Sequence, residues 1–248
     1  MSDFIDLTEP TSLLKAPSTP DEYSCGPILD TFNNCGDLMS PTYWVTEAYN
    51  AVFGFNPLDE VIQWFAGDWE SFAKCGVVWD QLGKAVDAVS GNIRAGNKTL
   101  DLTWDGRAAD AAYTYFHTCA AKLEEIRDEF GNLRTQYDHL AHSAYATAEA
   151  INGYLCGIID GLLITAVELA AGTALSWTGV GAAVGYGLAA LEIANMLRLW
   201  GQATQAIGNV QGIVNGAVGV VETIGAALYG TISEFTKIGE YDHPDPSI

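Results

Sequence analysis

Basic side chains are scarce in this sequence. Eleven Lys and Arg stand against 31 Asp and Glu in 248 residues, a formal charge of −20. Nucleic-acid backbones are held by clustered Lys and Arg, so this balance excludes a nucleic-acid-binding protein. The scarcity is uneven. Residues 1–70 carry twelve acidic residues and one base, Lys15, while beyond Arg134 the only Lys or Arg are Arg198 and Lys237. Eight of the eleven fall within 71–134. Cysteine is also sparse. Cys25, Cys35, Cys75, Cys119 and Cys156 are odd in number and cannot all pair. Cys25 and Cys35 share a Pro/Gly/Asn-rich segment and are placed to close a small loop in an oxidising compartment. The other three fall in apolar helical patterns as small core residues.

The signatures of catalysis are missing too. There is no zinc-type Cys/His spacing, no phosphate-binding glycine loop, no G-x-S-x-G elbow and no Cys/His/Asn set. Asp138-His139-x-x-His142 has helical spacing, but on a polar face where solvation explains it. The sequence supplies no argument for a catalytic partner of His117 or His243. No cofactor, no metal and no enzymatic activity are therefore expected. The first residues, Met-Ser-Asp-Phe-Ile-Asp, lack the basic and apolar regions of a Sec signal peptide, so export by that route is not expected.

Proline is confined to the two ends. Pro10, Pro17, Pro20 and Pro27, with Asn33-Asn34-Cys35-Gly36, prevent a helix from propagating, so residues 1–41 read as an extended acidic arm. Ser40-Pro41-Thr42 opens a short helix, Asn56-Pro57 interrupts it, and helix-forming sequence resumes through Val61, Ile62, Trp64 and Phe65 toward Gly67-Asp68-Trp69.

From there apolar residues step by three and four: Phe72, Cys75, Trp79, Leu82, Val86, Val89, Ile93. After Trp104-Asp105-Gly106 a second series follows: Ala112, Phe116, Cys119, Leu123, Ile126, Phe130, Leu133, Tyr137, Leu140, Ala144. This alternation predicts two long helices packed along a narrow seam, with Lys122, Glu124, Glu125, Arg127, Asp128 and Glu129 on solvated faces. Joined at Trp104–Gly106 they form an antiparallel hairpin, with Cys75 facing the region of Leu133 and Cys119 facing Val89. A Cys75–Cys119 disulfide is excluded by that register.

Beyond residue 150 charge nearly vanishes. Between Glu168 and Glu192 lie 23 uncharged residues, LAAGTALSWTGVGAAVGYGLAAL. Glycines recur at four-residue spacing at Gly153, Gly157 and Gly161, at Gly181 and Gly185, and at Gly208, Gly212 and Gly216. Such stripes let helices pack closely, in water or in lipid. The uncharged run is long enough to cross a membrane, although Gly172, Thr173, Ser176, Thr178 and Gly179 suggest a turn within it. The expected fold is all-α: an elongated antiparallel hairpin or bundle with a W-x-G bend, then Gly/Ala-rich close-packed helices. Its divisions are the arm (1–41), the hairpin module (42–150), the Gly/Ala-rich extension (151–238) and a disordered tail (239–248).

Two motifs complete the reading. In Trp104-Asp105-Gly106 the glycine permits the tight turn and the tryptophan plugs the end of the seam. Tyr145 and Glu149 lie one helical turn apart on one face. In this order, hairpin, bend, Tyr-x-x-x-Glu and glycine-rich continuation, the chain resembles the W-x-G family of type VII secretion substrates. It is most similar to the longer modules of actinobacterial secreted effectors and toxins, which share a Gly-Asp-Trp opening, here Gly67-Asp68-Trp69. It departs from the small members in its greater length, and carries no recognisable toxin segment before Ile248.

The resemblance implies a secreted or cell-surface protein, cytoplasmic before export and recognised by the secretion ATPase through Tyr145 and Glu149. In small members an aromatic of the partner subunit completes that signal. Here Trp69 or Trp64 is expected to supply it in cis, although a small hairpin partner or a homo-oligomer is compatible with the sequence. Two other readings compete: a membrane-associating or pore-forming effector using residues 150–235, and a structural helical bundle in which W-x-G is coincidental.

Overall fold

The computed structural model of the chain describes residues 6–20, 69–174 and 180–244. Among these the protein is all-helical. A short 3-10 helix, Pro10–Leu13, is followed by three long helices: α1 (Trp69–Asp101), α2 (Arg107–Ala174) and α3 (Val180–Thr236). Glu70 in the first turn of α1 and Lys98 in its last complement the helix dipole. The described residues divide between two compact units. The first comprises 6–20, 71–140 and 215–244, the second 69–70, 141–174 and 180–214. Helix α2 runs through residue 150, the expected limit of the hairpin module, without a break. No proline interrupts α2, and Gly131, Gly153, Gly157 and Gly161 alone do not stop a helix supported by packing along its length.

In the first unit α1 and the first part of α2 form the expected antiparallel hairpin. Gly106 turns the chain with φ of +101°, a conformation open to glycine but strained for other residues. The Trp104 amide closes the end of α1 on the Leu100 carbonyl at 3.0 Å, and the Asp110 amide opens α2 on the Gly106 carbonyl at 3.0 Å.

The line of closest approach on α1 differs from the one the apolar series predicts. It is lined at seven-residue steps by Gly76, Gly83, Ser90 and Asn97, all buried. Asn97 Nδ2 donates to the Tyr113 carbonyl at 2.9 Å, and Ser90 Oγ to the Ala120 carbonyl at 3.0 Å. Gly83 lies against Phe130, and Gly76 against Tyr137 and Asp138. Cys75 and Val89, expected in the seam, are exposed, and Phe72, Trp79, Leu82, Val86 and Ile93 are half-buried. The physical reason is size. Helices approach closest where side chains are small, so the bulky residues are displaced to the flanks, where Trp79 stacks on Phe130 with centroids 5.8 Å apart.

On α2 the expected seam holds at every second position: Ala112, Cys119, Ile126, Leu133 and Leu140 are buried, whereas Phe116 is exposed. The register places Ser90 beside Ala120, as expected for Cys119 and Val89. At the far end Gly76 meets Asp138, about one turn beyond the expected partner. Cys75 and Cys119 are free thiols, while Cys25 and Cys35 lie outside the described residues.

Both ends of the described chain dock on this unit. The Leu7 amide donates to Asn92 Oδ1 at 2.9 Å and Asn92 Nδ2 donates to the Thr8 carbonyl at 2.9 Å, so one buried asparagine clamps the arm. The Lys15 amide donates to Gln81 Oε1 at 2.8 Å. Within 239–248, expected as a disordered tail, Gly239 and Tyr241 bond to α2. Tyr115 Oη donates to the Gly239 carbonyl and Tyr241 Oη to the Ala108 carbonyl, each at 2.9 Å.

The second unit has its own core, built from Ala148, Ile151, Leu155, Ile158, Ile159 and Leu162 of α2 against Met196 and Ala203 of α3. On α3 the buried positions Ala189, Met196, Ala203 and Val210 recur every seven residues, again a heptad seam. Near its closed end the two backbones touch. A Cβ on Gly185 would lie 2.5 Å from Gly172 Cα and 2.9 Å from the Glu168 carbonyl oxygen. The turn expected across 172–179 falls largely on residues 175–179, outside the described set; α2 ends at Ala174 and α3 begins at Val180.

Candidate functional site

The expected signal residues sit on α2, inside the helix rather than beyond its end. Tyr145 is half-buried and packs on the second unit's core, while Glu149, one turn on, is exposed. An uninterrupted helix fixes both side chains on one face, with the carboxylate projecting into water. Trp69 is the first residue of α1, but its side chain, like all of Trp64, lies outside the described residues. The proposed pairing of either tryptophan with Tyr145 therefore falls outside them too.

At the bend, Trp104 is 37% exposed and shares a small void with Asn97, Leu100 and Asp101 of α1 and Ala109 and Tyr113 of α2. It caps the hairpin and keeps one edge in solvent.

Of the glycines in the four-residue series, Gly157, Gly161 and Gly185 pack between helices. Gly157 faces Leu199 and Gly161 faces Met196, both across the α2–α3 seam. Gly153, Gly208, Gly212 and Gly216 meet nothing within 4 Å of where a Cβ would stand. Four-residue spacing marks a flat stripe but does not say which side of the helix the neighbour takes. The closest approach belongs to Gly172 and Gly185, which no single four-residue series links.

Charge is organised along the first hairpin. Asp80 pairs with Arg134, Asp87 with Arg127 at 2.8 Å, and Arg94 with Glu124 at 2.7 Å. The Arg94 guanidinium, with the Ser90 hydroxyl, holds the Glu124 carboxyl below its ordinary range. Burial pushes the Tyr115 phenol up. These pairs hold helices together and present no free nucleophile beside a base. His139 and His142 are exposed, Asp138 bonds Arg134 at 3.3 Å, and the described residues contain no cluster of three metal-ligating side chains. Sequence reasoning missed Asn92 and Ser90 because polar residues in a helical pattern read as solvent-facing. Their seven-residue companions, Gly76, Gly83 and Asn97, are the signal that finds Ser90.

No family model, curated protein or solved structure matches the chain.

Proposed function

We propose that the chain is a non-enzymatic substrate of a type VII secretion system, an export and protein-interaction module belonging to the W-x-G family. The observation that carries this reading is a joint one. An antiparallel hairpin turns at Trp104-Asp105-Gly106, and an exposed Glu149 follows Tyr145 by one turn on the second arm. The signal is read by the secretion ATPase, with Trp69 or Trp64 supplying in cis the aromatic that small family members take from a partner. The protein is cytoplasmic before export and secreted or surface-bound after it.

Secretion by a host carrying an intact system tests this. Glu149→Ala removes an exposed carboxylate, so export should fall at least tenfold while intracellular protein keeps its helical content by circular dichroism. Trp69→Ala should act alike, and Trp104→Ala should mainly weaken the fold. Export unchanged by Glu149→Ala, or independent of the ATPase, would sink the reading. Export blocked by Trp104→Ala in a normally folded protein but not by Trp69→Ala would show that the signal is completed by a partner.

A further inference from the structure

The α2–α3 hairpin of the second unit leaves large apolar side chains in solvent on more than one side. At 3.6 residues per turn, Leu163, Ile164 and Val167 lie away from the buried line of Gly161, Thr165 and Gly172, and Leu169 lies on the opposite flank. On α3, Val184, Leu188 and Leu191 point away from the seam and Tyr186 flanks it. Val167 is 69% exposed and Leu191 67%. A protein partner covers one face of a hairpin. Hydrocarbon surrounds it, and this surface is apolar on its back and on its flanks.

Length and charge agree with that environment. The most apolar 18 residues of α2 have a mean hydropathy of 1.8 and 39% of them are buried, so most of this apolar stretch faces outward. Beyond Asp160, residues 161–174 rise about 21 Å, most of the way through a bilayer's hydrocarbon core of about 30 Å. The two carboxylates bordering the uncharged run turn toward the seam. Glu168 Oε2 is buried with no hydrogen-bond partner, as is the neighbouring Thr165 Oγ1, and Glu192 Oε2 lies 3.8 Å from the Cβ position of Gly161. Charged groups within a membrane occupy the interior between helices, away from lipid. Exposed Asp160 and Arg198, with half-buried Tyr154 and Trp200, lie toward the open end of the hairpin, the composition of a membrane boundary.

We propose that the helix segments 161–174 and 180–197 enter a lipid bilayer together. The chain's net charge of −20 repels anionic headgroups, so the lipid is zwitterionic. This activity goes beyond the export reading and does not depend on it.

Flotation of the full chain with phosphatidylcholine vesicles tests the proposal, beside a triple variant, Val167→Asp, Val184→Asp and Leu191→Asp. The wild type should float, and the variant's partition coefficient should fall more than tenfold with unchanged circular dichroism. Tyr113→Asp, an exposed position of the first unit, should float as the wild type does. Should the triple variant lose helix, Val167→Asp alone is read, with at least a threefold fall expected. A wild type that stays with the lipid-free fraction overturns the proposal, as does a folded variant that floats equally. A wild-type dimer that the triple variant converts to a monomer, with neither floating, would show that a second copy covers these faces.

Discussion

A methyl group added at Gly185 would strike the backbone of α2, which cannot rotate aside. Its nearest neighbours would be Gly172 Cα at 2.5 Å and Gly172 N at 2.7 Å. The two helices would have to separate locally, and overpacking of this kind costs about 1–3 kcal/mol, more than the gain of replacing glycine by alanine in a helix. At Gly212 the same methyl group meets nothing within 4 Å. There the substitution only restricts the unfolded chain and should stabilise by about 0.5–1 kcal/mol. Urea denaturation of Gly185→Ala and Gly212→Ala should therefore move the midpoint in opposite directions. A Gly185→Ala protein as stable as the wild type would mean that the backbones do not touch there.

The helices of the first hairpin are held by a seam too small to carry much apolar area and by charge pairs beside it. Arg94 and Glu124 are about a third exposed, so solvent and salt screen them, yet the carboxyl is held below its ordinary range by the guanidinium. A depressed folded-state pKa contributes stability that is present above the unfolded value and lost as pH falls through the folded one. Arg94 stays charged throughout. The melting temperature of Glu124→Gln should accordingly lie below that of the wild type at about pH 6, and the gap should narrow as pH falls below the ordinary carboxylate range of about 4. A gap that does not narrow would assign the effect to lost packing.

This element also shows what sequence periodicity reveals and what it does not. The steps of Phe72 to Ile93 and Ala112 to Ala144 located both helices, the bend at Gly106 and nearly the register, because 3.6-residue periodicity is a property of the chain itself. They did not locate the contact line on α1. Hydrophobicity ranks Val89 above Ser90, whereas close approach between helices selects Ser90 for its size and its bond to the Ala120 carbonyl. The Tyr145–Glu149 spacing was legible for the same reason as the helices. The continuation of α2 past it was not, because the packing of Ile151, Leu155 and Ile158 on α3 sustains the helix, and that support comes from residues some forty positions further along the chain.

At the scale of the molecule, the first unit is assembled from three separated stretches of chain. The arm meets α1 through Asn92 and Gln81, and the chain beyond α3 returns to the beginning of α2. That return is polar as well as aromatic. Tyr115 and Tyr241 meet edge to face at 5.9 Å, each donates its hydroxyl to a carbonyl of the other segment, and Lys122 bridges Glu125 and Glu234. Lys122 and Glu234 are too exposed for their pair to hold the segment unaided, so the two tyrosines should carry most of the docking. The opening turns of α2 around Ala108 have only the Trp104 bend before them, and helix ends fray where tertiary contacts are few. Deleting residues 237–248 should therefore speed amide exchange across 107–116 by roughly the factor of ten that corresponds to about 1.4 kcal/mol. Exchange in the second unit's core, at 151–162, should not change, because that core belongs to a unit separate from the one the deleted segment docks on. Equal acceleration at both places would mean that the two units unfold as one, and unchanged exchange at 107–116 would mean that the tyrosine contacts add nothing to the stability of α2's first turns.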